Sequence, residues 1–296
     1  MKKLLVFDLD GTLAESRSPL SAEIGELLGD LLGVMKVAVI SGGSFTQFEK
    51  QVLANLHAGE HLAKLFLLPT CGTQFFHYSG QWSKVYSEDL SVEERSAIVS
   101  ALKRALNDSG VEVREVWGEA IEDRGSQITL SVLGQDAPLR EKEVWDPDFE
   151  KRSRIMAILE PLLPDFAVRM GGTTSIDVTE PGIDKAYGIA KLREQLDISL
   201  KEMLFVGDAI FIGGNDYRLK RPGLTRYLCE TRGRPRGSSR RSSPAWAAVQ
   251  RRSWPLRIET RTVDIPDQRR CHGEPSREPL WAPRGLERPD ERGHDH

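Results

Sequence analysis

Short apolar runs recur along the chain and predict strands that are buried on both faces. Runs of this length, bounded by polar or turn residues, are typical of a parallel sheet covered by helices. Between them lie segments with apolar side chains at helical spacing, and Ser21 is a plausible N-cap for the first of these. The predicted strands cover residues 4–7, 36–41, 65–69 and 204–206, and the predicted helices cover residues 21–32, 45–56 and 184–196.

The middle of the chain shows a different pattern. Residues 74–86 predict a hairpin around Ser79-Gly80. The capping box at 91–94 then begins a helix that extends to Asn107. Consecutive strands with few helices between them favour an α+β module with an antiparallel sheet, inserted into an α/β core. We expect strands at 111–117, 127–133, 168–170 and 175–178, and a helix near 148–162.

The first apolar run ends in two carboxylates that point the same way. Asp8 and Asp10 are two positions apart in an extended segment, and Gly11-Thr12 begins a turn. Ligands of open α/β sheets bind beyond the carboxyl ends of the strands. A calcium loop does not fit, because Gly11 occupies position 4 and Pro19 position 12 when the loop is counted from Asp8. The pattern favours phosphoryl transfer.

Other strand ends add polar groups to the same edge. Ser41 ends the second strand, and Asp208 follows the last one. The helix that precedes this last strand begins near Lys185, a basic residue expected beside a phosphoryl group, although a lysine at a helix start is more often solvated. Three carboxylates near one phosphate require a divalent cation, and oxygen ligands suit Mg²⁺. Ser44 could bind phosphate, but its interpretation as a simple N-cap is favoured.

These segments together resemble the four motifs of the haloacid dehalogenase superfamily. The insertion between the second and third motifs is similar to the large α/β cap of its type IIB members. Within the superfamily, the chain resembles eukaryotic-type phosphomannomutases and their bacterial relatives over about residues 1–224. The superfamily resemblance rests on FDLDGTLA, VISGG, GIDKAYG and FVGDAIFIGGNDY, and the closer one rests on Arg17, GGSFTQFEK, Arg124-Gly125-Ser126 and GGTTSIDVTEPGIDK.

The resemblance implies a Rossmann-like core with a parallel sheet at 1–86 and 184–224, and a cap at 87–183. It also implies a role for each matching residue, with Asp8 as the nucleophile that forms an aspartyl-phosphate and Asp10 as the general acid/base. Ser41 and Lys185 would hold the phosphoryl oxygens. Mg²⁺ would be bound by Asp8, Asp208 and the Asp10 carbonyl. The residues implied in binding the phosphosugar substrate are Arg17, Arg124, Ser175 and Asp177, with Arg140 added although its register is shifted by one or two residues.

One departure bears on the reaction. The mutases carry an arginine where Gln135 stands here. A mutase must hold a sugar bisphosphate while it turns over, and losing one guanidinium weakens that grip. Water could then compete as the acceptor. We therefore favour hydrolysis of a phosphosugar slightly over interconversion of mannose 6-phosphate and mannose 1-phosphate, and an inactive product with a damaged core remains a third hypothesis.

Composition limits the class of protein. The three cysteines, Cys71, Cys229 and Cys271, form no CxxC pair, which suits a reducing cytoplasm and argues against a zinc site. Asp8 interrupts the first apolar run too early for a signal peptide, and no stretch approaches a membrane span. We expect a cytoplasmic enzyme that contacts no membrane, and a homodimer formed through the cap stays open.

Residues 225–296 differ from the rest of the chain. They hold 16 Arg, no Lys, eight Pro and only eight Ile, Leu, Val, Met or Phe residues among 72. This apolar share is below the roughly 20% that a packed core needs. No strand or helix periodicity is present, so we expect a disordered tail or an out-of-frame product. An Arg-rich arm that binds RNA is the alternative, and it is disfavoured because ten acidic residues are mixed in.

Overall fold

The computed structural model describes residues 1–15, 17–208, 210, 216, 219 and 222–228. Its strands and α-helices alternate at both ends of the described part, while strands predominate in the middle. In chain order they are β1 (Leu4–Asp8), α1 (Ala22–Val34), β2 (Lys36–Ile40), α2 (Phe45–Gln51), β3 (Leu65–Leu68), β4 (Gln74–Tyr78), β5 (Trp82–Ser87), α3 (Val92–Asp108), β6 (Ile121–Asp123), β7 (Gln127–Ser131), α4 (Leu139–Trp145), α5 (Glu150–Leu162), β8 (Ala167–Met170), β9 (Ser175–Thr179), α6 (Lys185–Leu196), β10 (Met203–Gly207) and β11 (Thr225–Leu228).

Within the described residues, seven strands form one sheet in the order β11-β10-β1-β2-β3-β4-β5. The five strands from β11 to β3 are parallel, and β4 and β5 are antiparallel. Alternate residues of each strand face opposite sides. Leu5 and Phe7 pack with side chains of α1 and α2, whereas Leu4 and Val6 pack with those of α6. We call this sheet and its helices the core.

A second sheet of the described chain has four antiparallel strands in the order β6-β7-β9-β8. We call this sheet with α3, α4 and α5 the cap. One face of its central strands carries Ile128, Leu130, Ile176 and Val178, which pack against α3 and α5. The other face is polar, because the period-2 geometry of a strand turns the alternate residues away from the helices. This polar face supplies residues to the candidate site.

The predicted α/β class with an inserted antiparallel module is confirmed, but some predicted elements are wrong. Residues 111–117 form no strand, and β6 lies later, at Ile121–Asp123. The helix predicted at 45–56 stops at Gln51 and is followed by a single 3₁₀ turn, Leu53–Asn55. Helix α4 was not predicted. The domain boundaries that we gave stay a prediction.

The last described strand corrects our expectation for the tail. Thr225–Leu228 forms β11, which pairs in parallel with β10, so strand structure continues beyond Leu224. Residues 229–296 lie outside the described residues, and so do the expectations of disorder, of an out-of-frame origin and of RNA binding for them. Among the described helices, none combines the length and the apolarity that crossing a membrane requires.

Candidate active site

The carboxyl end of β1 carries a buried ion-paired cluster. Asp8 is the last residue of β1, and its Oδ1 lies 2.8 Å from the Lys185 ammonium. The same ammonium donates to Oδ1 of Asp216 at 2.6 Å. Lys185 is the first residue of α6, where the carboxylate of Asp184 caps the helix by accepting from Tyr187 N–H. The structure therefore brings the first predicted motif and the third together.

Asp208 completes a group of three carboxylates. Asp8, Asp208 and Asp216 each offer an oxygen, and these oxygens all lie within 4.8 Å of one another. The turn after β1 approaches them closely, since a Cβ on Gly11 would lie 2.3 Å from Oδ2 of Asp208. Gly11 also has a φ of +80°, which favours glycine. Because Gly11 has no side chain, the turn can pack directly against the Asp208 carboxylate.

The three carboxylates fit a divalent cation. Buried like charges this close repel one another, and hard oxygen donors are the ligands of Mg²⁺. Asp8 and Asp208 were predicted as ligands, and Asp216 takes a place that the sequence did not assign. The ligand role of the Asp10 carbonyl stays a prediction.

The electrostatics of the cluster reflect burial and crowding. Burial raises the pKa of Asp8 to about 7; the Lys185 ammonium opposes this shift, and the charge of Asp216 adds to it. Burial would lower the pKa of Lys185, but the carboxylates of Asp8 and Asp216 outweigh it, and the pKa of Lys185 is raised. Lys185 is therefore a fixed positive charge next to Asp8.

Asp10 has different partners from Asp8. Its Oδ1 accepts from the Arg17 backbone N–H at 2.8 Å and from Nε2 of Gln51 at 3.3 Å. Its Oδ2 accepts from Nε2 of Gln47 at 3.2 Å and from the Ser41 hydroxyl at 3.5 Å. Ser41 is buried directly after β2. The predicted residues Asp10 and Ser41 therefore lie at the same edge of the core sheet as Asp8.

The polar face of the cap sheet is buried on β7, partly buried on β9, and internally hydrogen-bonded. The Thr129 hydroxyl donates to Oδ1 of Asp177 at 2.7 Å, and the hydroxyls of Ser131 and Ser175 pair at 2.9 Å. Burial raises the pKa of Asp177, and the charge of Arg124 opposes that shift. Asp177 and Ser175, both predicted to bind substrate, therefore share one face of β9.

Two predicted arginines bridge the core and the cap. Nη1 of Arg124 donates to the Gly42 carbonyl at 2.6 Å, while its Nε and Nη2 bind Glu122. From the core, Nη1 of Arg17 donates to the backbone carbonyl of Gln135 at 3.1 Å. Both guanidinium groups therefore lie between the two sheets.

Arg140 is not brought to this place. It is exposed on α4 and makes no hydrogen bond or ion pair with any described residue. Two positions later, Lys142 is half-buried and donates to the same Gln135 carbonyl, at 3.0 Å. Burial lowers the pKa of Lys142, and the charge of Arg17 lowers it further. Lys142 is thus the cation of α4 that faces Arg17.

The side chain of Gln135 is itself unusual. Its amide nitrogen and oxygen are both buried, and neither has a hydrogen-bond partner among the described residues. An unpaired buried amide is costly, so such groups commonly face a ligand or water. Gln135 therefore lies, with Arg17 and Lys142, where a polar molecule could bind.

Sequence reasoning missed Asp216, Gln47, Gln51, Lys142 and the cap residue Thr129 as members of this site. The i,i+4 spacing of Gln47 and Gln51 on a predicted helix was an available signal. The alternation of Thr129 with apolar neighbours was another.

The cap also has a cavity of about 530 Å³, lined in part by Trp117 and Trp145. None of the predicted site residues lines it.

Comparison with solved structures identifies the fold. A truncated IMP-nucleotidase from Plasmodium falciparum superimposes with a TM-score of 0.54 at 19% identity, over 77% of this chain and 66% of that chain. A haloacid dehalogenase-like hydrolase from Bacteroides thetaiotaomicron gives a TM-score of 0.50 at 17% identity, over 70% of this chain and 82% of that chain. The chain therefore shares its fold with these proteins, one of which is a haloacid dehalogenase-like hydrolase. The chain spans slightly less than two thirds of the nucleotidase.

Sequence comparison gives the family. The model of the family "Eukaryotic phosphomannomutase" matches residues 24–225. Phosphomannomutase 2 of Dictyostelium discoideum is 26% identical over 225 residues, covering 73% of this chain and 86% of the relative. The phosphomannomutase of Schizosaccharomyces pombe is 27% identical over 226 residues, covering 74% and 85%. The chain belongs to the eukaryotic phosphomannomutase family, which confirms the resemblance inferred from its motifs.

Proposed function

We propose that this protein transfers a phosphoryl group from a phosphosugar through an aspartyl-phosphate on Asp8, with hydrolysis as the favoured outcome. The observation that carries the proposal is the buried Asp8–Lys185 pair at the end of β1, beside Asp208 and Asp216. Family membership supports the sugar phosphate as the class of substrate.

The first step forms one bond and breaks another. A carboxylate oxygen of Asp8 attacks phosphorus while the bond between phosphorus and the sugar oxygen breaks. The Lys185 ammonium neutralises charge on the phosphoryl oxygens, which makes a weak carboxylate nucleophile effective. Ser41, buried at the next strand end, would donate a hydrogen bond to the same oxygens.

Asp10 moves the proton. It protonates the departing sugar oxygen in the first step, and in the second it accepts a proton from the incoming acceptor as that acceptor attacks the aspartyl-phosphate. The acceptor is water in a hydrolase and a sugar hydroxyl in a mutase. Asp8 is regenerated in both cases.

Asp8, Asp208 and Asp216 would hold Mg²⁺, with the Asp10 carbonyl as a further proposed ligand. A bound Mg²⁺ supplies positive charge that stabilises the phosphoryl group and keeps the neighbouring carboxylates ionised. In the chain itself, Lys185 is the positive charge already paired with two of these carboxylates.

The polar face of the cap would hold the rest of the substrate. Arg17 and Arg124 are the arginines between the two sheets, and guanidinium groups bind phosphate in a bidentate manner. Asp177 and Ser175 on β9 would accept from or donate to sugar hydroxyls. Arg140, which the motif comparison suggested, is replaced in this proposal by Lys142.

Hydrolysis is favoured because of Gln135. A neutral amide stands where the mutases that the chain resembles have an arginine, and this weakens the retention of a bisphosphate. The mutase alternative is favoured by one observation, which is that Lys142 brings a cation to the same backbone carbonyl as Arg17. Both reactions use the same phosphoryl-transfer residues.

The test measures two products from one incubation. Purified full-length protein is incubated with Mg²⁺, mannose 1-phosphate and a hexose 1,6-bisphosphate, and released phosphate is compared with isomerised hexose phosphate. We expect release of phosphate to exceed isomerisation, and Asp8→Asn to lose several orders of magnitude in both. Activity of Asp8→Asn within tenfold of the unchanged protein, with an unchanged circular dichroism spectrum, would contradict the nucleophile assignment.

Gln135→Arg separates the two outcomes. A charge-assisted contact to phosphate contributes about 1.5–3 kcal/mol, which slows escape of the bisphosphate roughly tenfold or more. We expect the ratio of isomerised product to free phosphate to rise by about that factor. Gln135→Met, which adds no charge, is the matched control. An unchanged ratio in the arginine variant would remove Gln135 from this explanation.

A further inference from the structure

Two glutamines of α2 lie against the carboxylate proposed as the general acid/base. Gln47 and Gln51 are one helical turn apart, so their side chains share a face of α2. Each donates to a different oxygen of Asp10, at 3.2 Å and 3.3 Å. Gln51 is only 2% exposed. Neither residue has a role in the mechanism described above.

The two amides form a chain whose direction is fixed by the backbone. Nε2 of Gln51 donates to the Ser18 carbonyl at 2.9 Å, and a carbonyl can only accept. The amide oxygen of Gln51 is therefore turned toward Gln47, and it accepts from Nε2 of Gln47 at 2.5 Å. Gln47 must then present N–H groups to both Gln51 and Asp10. The polarity of each contact follows from the preceding one.

We propose that Gln47 and Gln51 are positioning residues that hold the Asp10 carboxylate in the orientation needed for proton transfer; this inference rests on the proposed function. Oδ1 is fixed by the Arg17 N–H at 2.8 Å and by Gln51. Oδ2 has the longer contacts, from Gln47 at 3.2 Å and Ser41 at 3.5 Å. Oδ2 is thus the oxygen that passes a proton to the sugar oxygen as the bond from that oxygen to phosphorus breaks.

The dependence on the leaving group distinguishes positioning from a general loss of structure. A sugar alkoxide needs a proton to depart, whereas p-nitrophenolate departs without one. A variant that only misplaces Asp10 should therefore lose kcat/KM on a sugar phosphate and keep it on p-nitrophenyl phosphate, since kcat/KM reports the steps up to departure of the leaving group.

The experiment compares Gln47→Met, Gln51→Met and Lys50→Met in the full-length protein with Mg²⁺. Lys50→Met places the same new side chain on the exposed side of α2. We expect the glutamine variants to lose about tenfold to a hundredfold in kcat/KM on mannose 1-phosphate. On p-nitrophenyl phosphate they should lose less than about threefold, and Lys50→Met should change neither value.

Each outcome decides the inference. Equal losses on both esters, or no loss on either, would overturn it, and a loss confined to the sugar phosphate supports it. If Gln51→Met fails to fold, Gln47→Met, at a less buried position, decides alone. An unchanged protein that hydrolyses neither ester would overturn the proposed function, and the inference with it. If the unchanged protein hydrolyses both esters and Asp8→Asn abolishes this activity, the proposed function is supported whatever the glutamine variants show.

Discussion

At the scale of single residues, Lys142 and Arg140 have opposite environments although both are cations of α4. Lys142 is half-buried and faces Arg17, and Arg140 is exposed. Burial lowers the pKa of Lys142 from its ordinary 10.5, and Arg17 adds to this. An anionic substrate would pair with both Lys142 and Arg17 and so offset the cost of burying two positive charges close together. Lys142, rather than Arg140, should therefore contribute to substrate binding.

Lys142→Met should raise the KM for a sugar phosphate about tenfold or more, because a charge-assisted contact is lost. Arg140→Met is the matched control and should change KM less than about twofold. Equal effects of the two substitutions would contradict this assignment. The assay is initial-rate kinetics on mannose 1-phosphate.

The pH dependence gives a second measurement of the same group. The pKa of Lys142 is lowered from its ordinary 10.5, so Lys142 loses its proton at a lower pH than a free lysine. Its charge contact with phosphate is therefore present at neutral pH and lost in alkali. Above about pH 8 the phosphate itself is fully ionised and no longer titrates. KM should rise with pH in that range for the unchanged protein and stay flat in Lys142→Arg, whose guanidinium remains charged.

Residues at strand ends were predictable, and residues brought to the site only by tertiary contacts were not. Asp8 and Asp10 follow from the local i,i+2 geometry of one segment. Asp216 lies near Asp8 and pairs with Lys185 through tertiary structure alone, and no local pattern encodes that proximity. The burial that raises the pKa of Asp8 to about 7 likewise depends on the assembled site.

At the scale of elements, α6 lies unusually close to the turn after β3. A Cβ on Gly188 would be 2.4 Å from Cδ1 of Ile40 and 2.6 Å from the Cys71 carbonyl oxygen. Cys71 also has a positive φ of 57°. This close packing sets the position of α6, and with it the position of Lys185 at the start of the helix.

Gly188→Ala should destabilise the protein by about 1–3 kcal/mol, because the new methyl group meets backbone that cannot move aside. Alanine in a helix interior otherwise gains up to about 1 kcal/mol over glycine. Gly29→Ala in α1 tests that baseline, since its nearest contact would be an ordinary 3.5 Å. Urea unfolding should show opposite signs for the two variants. Stabilisation of both would mean that α6 can shift away from the turn.

Element prediction failed where apolar residues cover a core from a loop. Val111, Val113 and Trp117 alternate as in a strand, but in the structure they are partly buried against the cap cluster without strand pairing. Instead, the Trp117 N–H donates to the Leu133 carbonyl, and the Trp117 carbonyl accepts from the Asp136 N–H. Strand β11 was missed because it is only four residues long and comes at the start of a segment without apolar periodicity.

At the scale of the whole molecule, Lys2 joins the beginning of the chain to its last described strand. Its ammonium donates to the carbonyls of Lys201 and Met203 and, at 2.6 Å, to the Thr225 hydroxyl. Burial lowers the pKa of Lys2. These contacts connect the starts of β1, β10 and β11, so the edge of the sheet depends on both ends of the described chain.

Two truncations measure what β11 contributes. A chain ending after Leu228 keeps the pairing with β10 and the Lys2–Thr225 contact, and a chain ending after Leu224 loses both. Several backbone hydrogen bonds at about 0.5–1.5 kcal/mol each are removed, so the shorter chain should melt about 5 °C lower or more. It should also aggregate more readily, because the edge of β10 is unpaired. Equal melting temperatures would show that β11 adds nothing.

The place of β1 in the sheet has a consequence during synthesis. Among the described strands, β1 is synthesised first, and it lies between β2 and β10, with Leu4 opposite both Lys36 and Met203. The edge of β1 that pairs with β10 therefore stays unpaired until about 200 further residues have been synthesised, and a separation of this length slows folding. Because Lys185 also comes late in the sequence, a nascent chain carries Asp8 without its ion-pair partner, and the proposed phosphoryl transfer must wait until the core sheet closes.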